Sequence, residues 1–196
     1  MQNVSFLREV FLNAEENVSL VVLNQQQTES ALDFTIKRIL IEEGVSLIYV
    51  SLTKTAEEVL QWVPQLKKKN IFIIDAFSSK SERFFKEDLI EYVDTPSNLT
   101  GIQIGIEEGF SVLPGKKVVI IDSLGALSSY NDKKTFGKFI YTFSNKIKLS
   151  DNTMFLFSAK DSLDVWGLSL AKQFCDKIYD FSGLYVTNIE VSKKSH

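Results

Sequence analysis

An α/β domain built on a mainly parallel sheet is the fold class this sequence predicts, and two observations predict it. Short apolar runs rich in β-branched residues (19–23, 45–52, 71–76 and 153–158) alternate with stretches whose apolar residues fall at helical spacing. Such alternation makes right-handed strand–helix–strand units. The second observation is Val118-Val119-Ile120-Ile121, which follows Pro114-Gly115-Lys116-Lys117 and ends on Asp122-Ser123. Four β-branched residues without a polar alternate require burial on both faces, which belongs to the middle of a parallel sheet. Ligands bind at the carboxyl ends of such strands, where Asp122 stands.

Taken in order, residues 1–16 read as an N-terminal amphipathic helix, set apart from a single domain over 17–196. Val4, Leu7, Val10, Phe11 and Ala14 share one helical face, opposite Ser5, Glu9 and Asn13, for packing on the chain's own domain or on a partner. The first buried strand is 19–23. Leu32, Ile36, Ile39 and Leu40 predict a helix over 26–43, ended by Gly44. After the strand at 45–52, Thr55 and Glu58 form a capping box that opens a helix with Val59, Leu60, Val63 and Leu66 inward, kinked or shortened by Pro64. A third strand is expected at 71–76, a surface loop at 78–83 and a short helix at 82–93.

Pro96-Ser97-Asn98 opens a helix with Leu99, Ile102, Ile106, Phe110 and Leu113 on one face and Gly101, Gly105 and Gly109 on another. Each glycine costs a helix about 1 kcal/mol against alanine, so a close backbone approach is expected there, to the protein's own sheet before a subunit. Phe136, Phe139, Ile140, Phe143 and Ile147 form a clean core stripe of the next helix. A strand at 153–158 and a helix at 163–174 follow. Residues 177–181 and 184–191 are expected to close the fold as an antiparallel hairpin around Ser182-Gly183.

Composition removes several functional classes. Cys175 is the sole cysteine, so no intramolecular disulfide forms and a cytoplasmic address is expected. The sole histidine is the terminal His196, which excludes imidazole-based triads and histidine-bearing zinc clusters in a folded site. With a net charge of −3 and scattered lysine pairs, nothing recruits nucleic acid globally. No run of about eighteen apolar residues exists to span a membrane. No signal peptide is expected, because no apolar run follows a positive N-terminal region.

The run ending in Asp122 has the shape of a Walker B segment, whose aspartate holds Mg²⁺ beside a nucleotide. Asp-Ser can equally start a turn or cap a helix. The turn after the first strand, Leu23-Asn24-Gln25-Gln26-Gln27-Thr28-Glu29-Ser30, answers poorly to a phosphate-binding loop. Registered on G-x-x-x-x-G-K-[S/T], Leu23 and Thr28 take the glycine positions and Glu29 the lysine position; only Ser30 matches. Glycines let backbone N–H groups wrap phosphates, and the lysine adds a cation; a glutamate there repels them.

Ile48-Tyr49-Val50-Ser51-Leu52 with Thr55-Ala56-Glu57-Glu58-Val59, Ser97-Asn98-Leu99-Thr100, and Val118 to Leu124 with Ala126-Leu127 occur in the order of KaiC-like members of the RecA superfamily. Over 17–191 the chain resembles that family. The resemblance implies a three-layer RecA-like fold of the P-loop NTPase type. In KaiC-like ATPases paired acidic residues follow the second strand, one of them the glutamate that activates water; Thr53 and Lys54 stand there in this chain. No catalytic residue is therefore carried over. Ser30 and Asp122 are the expected cofactor-binding positions, with Asp122 on the metal, only where nucleotide binding persists.

The expectation is a pseudo-ATPase with a degenerate Walker A: an interaction or regulatory subunit, in an oligomer or with another RecA/KaiC-like subunit, and without a cofactor. Two alternatives remain. One is a divergent ATP- and Mg²⁺-binding ATPase of the KaiC-like, archaeal type. The other is a DNA-repair recombinase paralogue touching nucleic acid through loops after Leu127 and Ser158.

Overall fold

The computed structural model describes residues 18–78, 89–186 and 191–193. The expected helix of residues 1–16 and the loop at 79–83 lie outside the described residues. So does most of the helix expected at 82–93.

The central sheet comprises β1 (Val18–Leu23), β2 (Val45–Ser51), β3 (Ile71–Asp75), β4 (Ile90–Tyr92), β5 (Lys116–Ile121), β6 (Thr153–Ala159) and β7 (Lys177–Asp180). Its order is β4-β3-β2-β5-β6-β1-β7, and every pairing is parallel. β1, β2 and β3 are almost wholly buried, as is Val118–Ile121 of β5, because helices cover both faces.

On one face lie α1 (Thr28–Ile41) and α2 (Ala56–Trp62), whose Leu32, Ile36 and Val59 pack against Tyr49, Ile120 and Phe155. On the other lie α3 (Leu99–Val112), α4 (Leu124–Tyr130), α5 (Lys133–Lys148) and α6 (Val165–Phe174). There Ile106, Leu127 and the stripe Phe136, Phe139, Ile140, Phe143 and Ile147 meet Val119, Ile121 and Leu156. The three-layer α/β reading thus holds. No helix among the described residues is long and apolar enough to cross a membrane.

Local chemistry sets the helix ends as expected. Thr55 accepts from the Glu58 N–H while the Glu58 carboxylate accepts from the Thr55 N–H, completing the capping box that starts α2. Asp75 ties the same helix to the sheet by accepting from the Ala56 N–H at 2.8 Å. The glycine face of α3 turns onto the sheet. A Cβ on Gly105 would stand 2.7 Å from Ile74 Cγ1, and one on Gly109 would stand 3.0 Å from Ile48 Cγ1. The close approach is therefore internal.

Four expectations are corrected. Residues 90–92 form edge strand β4, not the end of a helix: Ile90 pairs beside Ile73 and Tyr92 beside Asp75. Leu66 is 89% exposed, not inward, because α2 stops at Trp62 and Pro64 starts a 3-10 turn that resets the helical phase. Residues 177–180 do not form a hairpin with 184–191. β7 runs parallel to β1, and the antiparallel pair is Leu184–Val186 with Val191–Lys193. The stretch after Leu127, expected as a loop, continues as α4 to Tyr130, and α5 starts at Lys133.

Candidate functional site

The chain passes from β1 through α1 to β2, which stands three strands away, beyond β6 and β5. Where neighbouring strands send their connections to opposite faces, their carboxyl ends leave a crevice. A cavity of about 660 Å³ opens there, between the turn after β1, the turn after β2 and the ends of β5 and β6. Asn24, Thr28, Glu29, Lys54 and Asp122 line it, with Lys160 and Asp161 across from them.

The turn after β1 is closed on itself. Gln25–Gln27 forms one 3-10 turn that runs straight into α1, capped by Asn24. The Gln26 N–H donates to Asn24 Oδ1 at 3.1 Å, the Gln27 N–H to the Asn24 carbonyl at 2.9 Å, and the Thr28 N–H to the Gln25 carbonyl. In return the Asn24 N–H donates to Gln27 Oε1 at 3.3 Å. A phosphate-binding loop must present such N–H groups outward, whereas here local carbonyls and amides use them. With no glycine in the turn, the backbone has no left-handed residue with which to open it.

Glu29 and Lys54 face each other across the cavity mouth, Nζ to Oε1 3.4 Å. Lys54 also lies over the Trp62 ring, 5.4 Å from its centroid. These are the positions where the KaiC-like resemblance requires a lysine and an acidic residue. The two charges are exchanged, and the exchanged charges meet. Since Glu29 is 68% exposed, the pair contributes at most about 1 kcal/mol to stability. Its larger effect is to put a carboxylate where phosphate oxygens would need a cation.

Asp122 is 1% exposed at the end of β5. Its Oδ1 accepts from the Leu52 N–H at 2.9 Å and its Oδ2 from Thr53 Oγ1 at 2.9 Å, with the Tyr49 hydroxyl at 3.4 Å and that of Ser51 at 3.5 Å. Burial pushes the carboxyl up to about 6, against the bonds from Leu52 and Thr53 that favour the ionised form. Burial first, and then the neighbouring Asp122, pushes the Tyr49 phenol well above its usual range. The helix cap expected of Asp122 falls instead to Ser123, which accepts from the Ala126 N–H at 3.1 Å. Asp122 ties the end of β5 to the turn after β2.

Ser30 is half-buried and is not among the residues lining the cavity, whereas Asp122 is. Both Asp122 oxygens are already engaged, and no group of three or more His, Cys, Asp or Glu residues that could hold a metal occurs among the described residues. Sequence reasoning missed Tyr49 and the Asp122–Thr53 contact. The available signal was a tyrosine inside an otherwise aliphatic buried strand, whose hydroxyl needs a partner.

No family model matches the sequence, and no curated protein matches it. Solved structures do. A KaiC-like protein of the hyperthermophilic archaeon Pyrococcus horikoshii is 16% identical at a TM-score of 0.56, covering 89% of this chain and 74% of that one. An uncharacterised protein of Pyrococcus horikoshii, solved with an unknown peptide, is 10% identical at a TM-score of 0.66, covering 95% and 85%. A third structure, described as an ATPase domain, is 15% identical at a TM-score of 0.52, covering 93% and 74%. The seven-stranded parallel sheet, its order and these likenesses together show a KaiC/RecA-like fold.

Proposed function

We propose that this protein is a non-catalytic RecA/KaiC-like subunit that works by association and does not hydrolyse ATP. The Glu29–Lys54 ion pair carries the reading, because it reverses both charges on which phosphate binding and water activation depend in the resembling ATPases. The self-capped turn at 24–28 and the engaged Asp122 carboxylate support it. A neighbour of the same fold holds a peptide, which accords with a protein-binding use of this architecture. The partner is a second copy of this chain or another RecA/KaiC-like subunit.

The divergent ATP-binding reading keeps one observation in its favour: the cavity, about 660 Å³, lies within the size range of small-molecule sites. A thermal melt separates the two. A ligand at one hundred times its dissociation constant stabilises by about 2.7 kcal/mol, a rise of several degrees. Millimolar ATP with Mg²⁺ should leave the melting temperature unchanged. A rise that disappears in Asp122→Ala would overturn the reading.

The positive half of the proposal is read by light scattering of the full chain. A dimer or larger species is expected, alone or with a RecA/KaiC-like partner, through an interface of about 1,200–2,000 Å². A strict monomer at all concentrations, with no complex formed, counts against it.

A further inference from the structure

The parallel sheet brings exposed aliphatic side chains and lysines together at the amino ends of its strands, away from the cavity. Leu47 stands in register with both Ile71 and Val118, and Val118 with Thr153, so the neighbouring strands β3, β2, β5 and β6 share one row. Each is entered through a connection that leaves one large aliphatic side chain in solvent: Leu66 before β3, Ile41 before β2, Val112 before β5 and Leu149 before β6. All four precede the row by four to six residues and so lie at the same end. Leu66, in the 3-10 turn, and Leu149, just past α5, are 89% and 90% exposed. From β3 to β6 the row is about 14 Å wide.

Lysines stand between these side chains. Lys67-Lys68-Lys69 follow Leu66 directly, and Lys116-Lys117 open β5 two strands away. Arg38, Lys116, Lys146 and Lys148 are taken by Glu42, Asp151, Glu107 and Asp176 respectively. Among the described residues, the side chains of Lys67, Lys68, Lys69 and Lys117 pair with no acid, against Glu43 and Glu108 as unpaired acids of this end.

We propose that this end of the domain docks on an anionic lipid surface, with Leu66 and Leu149 entering the headgroup layer and the unpaired lysines against its phosphates. Apolar area and attraction between lysines and anionic lipid add in such binding. The make-up of the face favours lipid over a macromolecule. Protein interfaces concentrate aromatic residues and arginine and are poor in lysine, whereas none of these four exposed apolar side chains is aromatic. Single-stranded nucleic acid is held by stacking on aromatic rings, and a duplex backbone has no use for protruding leucines.

Flotation of the full chain with phosphatidylcholine vesicles, plain or with about 30% phosphatidylserine, tests the proposal. The protein should float with the anionic vesicles and not with the neutral ones. Leu66→Ser with Leu149→Ser should weaken the partition at least tenfold, and so should Lys67→Gln, Lys68→Gln and Lys69→Gln together. Val165→Ser with Lys134→Gln, exposed at the opposite end, should leave it unchanged. Thermal melts check that each variant is folded. Absence of binding to anionic vesicles, equal binding to neutral ones, or full binding without the two leucines overturns the proposal. Release by a short DNA duplex at equal phosphate concentration also overturns it, because the face would then be reading phosphate without lipid.

Discussion

Replacing Asp122 by asparagine should stabilise the protein at pH 8 and leave it nearly unchanged at pH 4. The folded carboxyl titrates at about 6 against an ordinary 3.8, so the folded state prefers its protonated form. Well below pH 3.8 the group is protonated folded and unfolded, and burial costs little. As the pH rises through 4 to 6 the unfolded chain ionises more readily, and the wild type loses stability. Above that window the loss is complete, on the order of 3 kcal/mol for a difference of about two pH units.

Asparagine carries no charge. Its oxygen still accepts from the Leu52 N–H, and the Thr53 and Tyr49 hydroxyls can turn to accept from its amide. The gain should approach 2–3 kcal/mol at pH 8, roughly 4–10 °C in melting temperature, and vanish near pH 4. Melts from pH 4 to pH 8 read it directly. Equal losses of stability at both ends of the range would mean that the hydrogen bonds, not the charge, govern the site.

Alanine at Gly115 should cost far more than alanine at Gly44. Both glycines adopt a left-handed backbone, φ +69° and +73° respectively. At Gly44 a Cβ meets nothing within 4 Å, so only the backbone penalty of about 1–2 kcal/mol applies. At Gly115 the Cβ would lie 2.1 Å from the Gly44 carbonyl oxygen, the same oxygen that accepts from the Lys116 N–H at 2.9 Å. Backbone cannot move aside as a side chain can, and the turns below β2 and β5 must part. The cost should reach about 3–5 kcal/mol, among the largest for a single substitution. Urea unfolding of both variants measures the difference, and equal costs would show that the two turns have slack between them.

Much of the fold was legible because its signals are local. Runs such as 118–121 need no partner to announce burial on both faces, and Thr55 with Glu58 specifies a helix start within four residues. The make-up of the turn after β1 was equally legible, since residues 23–29 hold neither glycine nor lysine. Strand order and pairing lie beyond such signals. Ile90–Tyr92 reads as the tail of a helix until Ile73 and Asp75 offer it an edge, and Lys177–Asp180 reads as a hairpin arm until β1 takes it in parallel. The site followed the same division. The sequence showed Glu29 and Lys54 separately, but only a crossover that carries the chain past two strands sets them 3.4 Å apart. Asp122 likewise stood at a strand end in the sequence. Its engagement by Leu52 and Thr53, seventy residues away at most, depends on β2 lying beside β5, because a hydrogen bond is a contact in space.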